Sequence, residues 1–415
     1  MNKKKVLIVG TSAKEYALAK VLSRSSNIAQ VYIAPGNIAS ADFAQRVDIR
    51  EDAVQELVEF AIKEEIDLTI ASSAKAIKAD IASFFLANSQ LIFAPTAESA
   101  NFSLSRGIAK KFMYKLHIPT PKFGIFEKQQ LALDYLKNLK EPQLITTDFD
   151  SENSIRSVCV NINLAKMCIE DVFQSSESRV IIEDYAYGHT FTFYIITDGY
   201  HALPIAAVAD YKFLEDGNAG LFTAGMGGFL PDYRISTNIE SDIMTNVVSP
   251  LLTNLEKQGK PYLGILGVEC VLGSDQKYVV TGFTPFLKEH DAQAVLNFID
   301  TDLYSVFEAC AVGSFADDYD FAFLPVKNLS IVSGVLLSRK EGAIITGLEL
   351  VDDSTDVSHF ATTKNNYFEY LTNKGRTLVL TQTASTLSRA RELLYDNINE
   401  IYFDGIKYRH DICAE

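Results

Sequence analysis

The run Lys5-Val-Leu-Ile-Val-Gly10, continued by Thr11-Ser-Ala-Lys-Glu-Tyr-Ala-Leu18, decides the class of fold. A short unbroken apolar run closed by glycine suits a strand buried on both faces of a parallel sheet. Helical spacing follows over 12–25, where Tyr16, Leu18, Ala19, Val21 and Leu22 share an apolar face. Gln30-Val-Tyr-Ile-Ala34 predicts a second strand, stopped by Pro35-Gly36-Asn37. A helix over 52–64, a strand over 67–71, a helix over 75–88 and a strand over 91–94 continue the alternation. This is the pattern of a doubly wound, Rossmann-like α/β sheet, and it ends near residue 100.

Beyond it, the spacing predicts a helix over 101–117 and a break at Pro119 and Pro121. A smaller α/β segment over 122–182 combines helices at 127–139 and 164–173 with strands at 143–147 and 156–160. Ile181-Ile-Glu-Asp-Tyr185 leads into β-branched and aromatic strands over 190–197 and 203–208. A glycine-rich loop spans Gly217 to Gly228, a long helix 237–258, and a hairpin-like pair 264–272 and 277–283. The tail from about 325 reads as an α+β module with strands at 330–336 and 377–382 and a helix at 385–396. The expected division is 1–100, then 101–121 with 183–324, an inserted lobe over 122–182, and 325–415.

A chain of 415 residues exceeds one ordinary domain. With 47% hydrophobic and 22% charged residues it has the composition of a globular protein and not of a disordered one. The formal net charge of −15 repels phosphate backbones and argues against nucleic acid as a partner. A small phosphorylated substrate or nucleotide remains open, because backbone amides and a few lysines make a pocket locally positive. The cysteines Cys159, Cys168, Cys270, Cys310 and Cys413 show no zinc or C-x-x-C spacing and suit a reducing compartment. The apolar run Val6–Val9 is too short for a signal-peptide core, and no run approaches the ~18–20 apolar residues of a membrane span. The expectation is a cytoplasmic chain with no membrane partner, either a monomer or bound to an unidentified protein.

Several short strings then fall in a telling order. They are Lys5–Gly10 with Glu15-Tyr-Ala-Leu18, Ala34-Pro-Gly-Asn37, Phe93-Ala-Pro-Thr96, Asp210-Tyr-Lys212, Thr223-Ala-Gly-Met-Gly227, and Phe403-Asp-Gly-Ile-Lys-Tyr-Arg409 with Asp411-Ile412. In that order and spacing, from about residue 5 to 413, the chain resembles the glycinamide ribonucleotide synthetase (phosphoribosylamine–glycine ligase) family. The resemblance implies a Rossmann-like N-terminal domain, a two-lobed ATP-grasp domain and a small C-terminal α+β domain. It implies ATP-dependent joining of glycine to 5-phosphoribosylamine in purine biosynthesis, through an acyl phosphate, with Mg²⁺ bridging the phosphates. It further implies a substrate side built from Gly10, Lys14, Glu15, Gly36, Asn37, Asp210, Lys212, Thr223, Gly225, Met226 and Gly227. ATP would fall to Arg106 and the hinge Glu183-Asp184-Tyr185-Ala186.

The departures from the family pattern are as informative. Its first loop, G-x-G-G-R-E-H-A-L, is here Gly10-Thr-Ser-Ala-Lys-Glu-Tyr-Ala-Leu18, so two glycines have gained side chains and backbone approach to a phosphate is impaired. Its G-P-E-A-P-L loop is Ser72-Ser-Ala-Lys-Ala-Ile77. Its lysine strand and glycine loop, K-A-D-G-x-A-x-G-K-G, gives way to Thr146-Thr-Asp-Phe-Asp150-Ser-Glu152-Asn-Ser154. Its metal strand, I-E-F-N-x-R-F-G-D-P-E, is Thr281-Gly-Phe-Thr-Pro-Phe-Leu-Lys-Glu-His-Asp291, with Gly282 and Thr284 at the ligand positions. Glu269 on the preceding strand, with Glu289 and Asp291 nearby, is the remaining candidate for a rebuilt metal site. Efficient ligation by the family's mechanism is therefore not expected, since one lost charge-stabilising group alone costs roughly 3–4 kcal/mol of barrier. Asp210, Lys212 and an anion nest over Thr223–Gly227 keep phosphate binding open. A working enzyme with altered ATP handling, or one with another substrate pair, is the alternative.

Overall fold

The opening apolar run is a strand, β1 (Lys4–Gly10), and Val6, Leu7, Ile8 and Val9 are fully buried. The computed structural model describes residues 3–139, 142–149, 154–174, 179–318, 324–360 and 362–414. The charged positions Asp150 and Glu152 lie outside the described residues. β1 pairs in parallel with β2 (Ile28–Pro35) and, together with β3 (Gln45–Arg46), β4 (Leu68–Ala71) and β5 (Ile92–Phe93), forms a sheet of order β3-β2-β1-β4-β5. Helices Ala13–Leu22 and Val54–Lys63 fall where the spacing predicts them.

Two predicted helices are each broken in two. The one over 75–88 divides into Ala74–Lys78 and Ile81–Ala87, because Asp80 takes a left-handed conformation (φ 58°) and its carboxylate accepts from the Ala97 amide at 2.8 Å. The one over 101–117 divides into Ala97–Leu104 and Arg106–Lys115 at extended Ser105. The Ser105 hydroxyl caps the second helix by accepting from the Ile108 amide at 3.2 Å. Apolar periodicity ran through both breaks and hid them.

The inserted lobe is an antiparallel sheet of β6 (Phe123–Phe126), β7 (Gln143–Thr147), β8 (Arg156–Cys159) and β9 (Val180–Asp184), in order β6-β9-β7-β8. Its helices, Gln129–Leu136 and Ile162–Gln174, bury Ala132, Leu136, Ile169 and Val172 against it. β6 was not anticipated: it follows the proline break directly and all four residues are only half-buried.

The large sheet gathers β10 (His189–Thr197) and β11 (Ala202–Asp210). A small ribbon follows, β12 (Phe213–Glu215) and β13 (Ala219–Phe222), and then β14 (Gly227–Leu230). β15 (Gly264–Leu272), β16 (Tyr278–Thr284), β17 (Ser330–Ser338) and β18 (Thr355–His359) come next. A second ribbon, β19 (Thr363–Lys364) with β20 (Tyr370–Leu371), precedes β21 (Gly375–Ala384) and β22 (Ile406–Lys407). The order is β16-β15-β10-β11-β14-β17-β21-β18, with β22 on β17. The antiparallel pairing of β14 with β17 makes the tail continuous with the large sheet. The glycine-rich stretch 217–228, expected as a loop, therefore holds strands on either side of a tight turn.

The C-terminal string positions that ribbon. Arg409, 1% exposed, donates to the Asp411 carboxylate at 2.7 and 2.6 Å, to the Phe213 carbonyl at 3.1 Å and to Asn218 Oδ1 at 3.0 Å. The ribbon that borders the cleft is thus pinned by a buried guanidinium from the far end of the chain. Among the described residues no helix is long and apolar enough to cross a membrane.

Candidate functional site

A cleft of about 630 Å³ opens where the three sheets meet. Its lining carries Lys14, Lys75, Lys78, Arg106, Arg156, Lys212, Lys288 and Arg376 against Asp148, Glu183, Glu269 and Glu289. Among the described lining residues eight cations thus face four carboxylates, in a chain whose net charge is −15. Phe102, Leu104, Ala109 and Phe283 add an apolar wall. A low-dielectric cleft lined by one sign of charge focuses potential on a ligand of the other sign.

The floor is set by strand register. β11 ends at Asp210, β15 carries Glu269, and Glu269 pairs with Gly282 of β16. Lys288 follows β16 and enters between the two acids. Its ammonium donates to Thr192 Oγ1 at 2.7 Å and Asp210 Oδ2 at 2.8 Å, and lies 3.0 Å from Glu269 Oε1. Those partners use all three of its donors. Lys212 lies 2.5 Å from Asp210 Oδ2 and 4.0 Å from Glu269 Oε1. Arg156, across the cleft on β8, lies 4.0 Å from Glu269 Oε2 and over the Phe222 ring at 4.6 Å.

Burial opposes charge on Asp210, yet Lys212, Lys288 and His290 hold its carboxyl well below the usual carboxylate range. Burial likewise opposes charge on Glu269, and Lys288, Lys212 and Arg156 hold it far below its ordinary value. Burial alone would lower Lys288, but Asp210 and Glu269 raise it above the ordinary lysine range. Lys212 is pushed down to about 8 by burial, because the Lys288 charge offsets part of the attraction of Asp210. Behind the floor, fully buried His290 meets Asp210 Oδ1 at 3.0 Å, and Tyr194 donates to Asp291 Oδ2 at 2.6 Å.

The first loop makes a second cluster. Glu15, 1% exposed, accepts from the Ser12 amide at 2.9 Å and from the Ser12 and Ser72 hydroxyls. Gly10 sits at φ 149°, and a Cβ there would collide with the Glu15 side chain. Glu289 accepts from the Lys14 amide at 3.1 Å, lies 2.8 Å from the Ser12 hydroxyl, whose single proton it shares with Glu15, and lies 3.4 Å from the Lys14 ammonium. A protein carboxylate therefore already occupies the amide end of the helix Ala13–Leu22. Lys14 rises to about 12 because Glu289 and Glu15 outweigh its burial.

Of the expected substrate residues, Lys14, Lys212 and Thr223 line the cleft, and so does Arg106. Others serve the fold. Asn37 caps a short 3-10 turn by accepting from the Ala39 and Ser40 amides, and donates to the His359 carbonyl at 2.8 Å. Gly36, at φ 63°, makes the turn that leads into that cap. The anticipated nest is filled from within: the Thr223 amide donates to the Lys212 carbonyl at 2.6 Å, Gly225 to Thr223 Oγ1 at 3.0 Å, and Met226 to the Tyr211 carbonyl at 2.8 Å. Gly225 and Gly227 are needed for close packing, since a Cβ would strike the His290 ring at one and the Ser333 carbonyl at the other. Of the hinge, Glu183 alone is among the cleft-lining residues, and it is ion-paired with buried Lys110. Asp184 instead accepts from Gln143 at 3.1 Å, while Tyr185 and Ala186 stand off the lining.

The carboxylate of Glu269, the expected metal candidate, meets ammonium and guanidinium groups, and Gly282 opposite supplies no side-chain oxygen. Glu289 is engaged by Lys14 and Asp291 by Tyr194. Among the described residues no three His, Cys, Asp or Glu side chains are grouped to hold a metal. A hard divalent cation needs several oxygen ligands, so these residues do not fit Mg²⁺. The sequence reading missed Lys288, Arg156 and Arg376. Only Lys288 carried a signal, as a lysine inside the string that replaced the metal motif.

The three-sheet arrangement around a cationic cleft defines an ATP-grasp protein with an added N-terminal α/β domain. Models of the phosphoribosylglycinamide synthetase N domain, ATP-grasp (A) domain and C domain match residues 4–103, 104–284 and 337–415. The phosphoribosylamine–glycine ligase of Allochromatium vinosum is 30% identical over 417 residues, covering 98% of this chain and 97% of that protein. The chain belongs to the phosphoribosylglycinamide synthetase family. Among solved structures, the phosphoribosylamine–glycine ligase of Thermotoga maritima shares the fold at a TM-score of 0.81 and 20% identity, covering 99% of this chain and all of that one. The biotin carboxylase domain of the Hydrogenobacter thermophilus 2-oxoglutarate carboxylase, solved with MgADP, ADP and bicarbonate, shares it at 0.72 and 11% identity, covering 98% of this chain and 91% of that one.

Proposed function

We propose that this chain is a phosphoribosylamine–glycine ligase homologue, related to purine biosynthesis, whose cleft binds a phosphorylated ligand but whose ligase activity is weak or absent. The observation that carries this reading is the Lys288 ammonium held between Asp210 and Glu269. It supports anion binding, because the lining is net cationic, and it argues against the family's chemistry, because the carboxylates a magnesium ion would need are taken. The ligand class is a nucleotide or phosphoribosyl compound, with its phosphates toward Lys212 and Arg156 and its apolar portion toward Phe102 and Phe283. A cytoplasmic setting is part of the same reading.

Two measurements test it. ADP release from ATP, glycine and phosphoribosylamine is expected at or near background, and turnover comparable to an active family enzyme would overturn the reading. A thermal-shift titration with ATP, and separately with ribose 5-phosphate, is expected to stabilise the protein by roughly 2.7 kcal/mol at a hundredfold excess over Kd.

A further inference from the structure

Resting on that reading, one feature of the floor goes further. Buried Asp210 and half-buried Glu269 direct their carboxylates at one point, and the group at that point is the Lys288 ammonium. The ammonium is a permanent part of the chain, and its three donors are spent on Thr192, Asp210 and Glu269. Lys212, beside it, has one carboxylate oxygen at 2.5 Å and, among the described residues, the next at 4.0 Å, and it lines the cleft. Arg156 borders the same space from the opposite lobe. Among the described residues the cations Lys288, Lys212 and Arg156 thus border these two carboxylates.

We propose that this cleft binds the phosphates of its ligand without a divalent cation, with Lys288 as built-in counterion to Asp210 and Glu269 and with Lys212 and Arg156 as the direct phosphate contacts. A phosphate met by amine and guanidinium donors gains charge-assisted hydrogen bonds. A magnesium ion entering the same floor would find its acidic oxygens engaged and three like charges beside it. Free ATP, more highly charged than its magnesium complex, is then the preferred form.

The test is calorimetric titration of the full chain with ATP, once in excess EDTA and once with magnesium in excess over nucleotide. The expected result is a Kd in EDTA equal to, or tighter than, that in magnesium. Binding that tightens about tenfold or more with magnesium overturns metal independence but leaves the phosphorylated-ligand reading standing. Absence of binding by ATP and by ribose 5-phosphate in both buffers overturns both. A second variant makes the role of Lys288 separately visible. Lys288→Met takes the nearest cation from Glu269 and one of two lysines from Asp210, so magnesium chloride alone is expected to raise the Tm of the variant and not that of the parent. A parent that responds to magnesium as strongly as the variant would remove Lys288 from this role.

Discussion

At the end of β1 one lysine, Lys14, serves two carboxylates, Glu15 and Glu289. At the end of β11 two lysines and an arginine serve Asp210 and Glu269. Both clusters border the same cleft, and Glu15 of the first and Glu269 of the second titrate in opposite directions, while Glu289, closer to Lys14 and Arg376, is lowered as Glu269 is. Burial raises Glu15, and the neighbouring Glu289 charge adds to the rise, so it departs upward from 4.5 despite Lys14. Glu269 is less enclosed and departs downward, because cations outnumber acids around it. Desolvation opposes charge on both acids, and the charges nearest each one decide which form survives.

The largest expected effect comes from removing the cation that the second cluster depends on. Lys288→Met takes from Glu269 its nearest cation and from buried Asp210 one of its two lysines, and is expected to destabilise the fold by roughly 3–5 kcal/mol, measured by urea unfolding at neutral pH. The matching change in the first cluster, Lys14→Met, should cost less, on the order of 1–2 kcal/mol, because serine hydroxyls and backbone amides continue to serve both carboxylates. Equal losses in the two variants would dissolve the distinction between the clusters.

Ligand affinity comes next. Lys212, at about 8, loses its charge within the working range. Below that value it is an ammonium ready for a phosphate, and above it binding must first supply a proton. Affinity for ATP in EDTA is therefore expected to weaken as pH rises from about 7 to 9. Lys212→Met should weaken binding roughly tenfold at pH 7 and flatten the profile. A profile unchanged in the variant would assign the titration to another group.

The smallest effect is a pair of opposite slopes. Glu269 has a depressed folded value, so its stabilisation is present above the ordinary 4.5 and is lost as pH falls toward that folded value. Glu15 has a raised folded value, so its contribution is full below 4.5 and is lost as pH rises through the raised value. In unfolding experiments across the acid range, the deficit of Glu269→Gln relative to the parent should grow with pH, while that of Glu15→Gln should shrink. Slopes of one sign for both would refute the charge-ratio argument.

The N-terminal alternation was legible because a buried parallel strand reads as an unbroken apolar run and its helices keep one apolar face. The paired strands 264–272 and 277–283 were legible for a similar reason, with a polar turn at Ser274-Asp-Gln276 between them. The breaks at Asp80 and Ser105 were not, since each is stabilised by a hydrogen bond to a distant partner, Ala97 in one case and Asp148 in the other. The site was read by matching a family motif position by position, so it was read as losses. Arg156 and Lys288 lie 132 positions apart in sequence and meet only through Glu269.

By itself the sequence determined the N-terminal strand–helix alternation and the family, because these depend on local pattern and on residue identity. Tertiary structure alone decided which charges share the cleft floor. Antiparallel register sets Glu269 opposite Gly282, and the turn after β16 brings Lys288 back against Asp210. Charges far apart along the chain become one electrostatic unit, and the energy of that unit depends on distance and burial, which no linear pattern records.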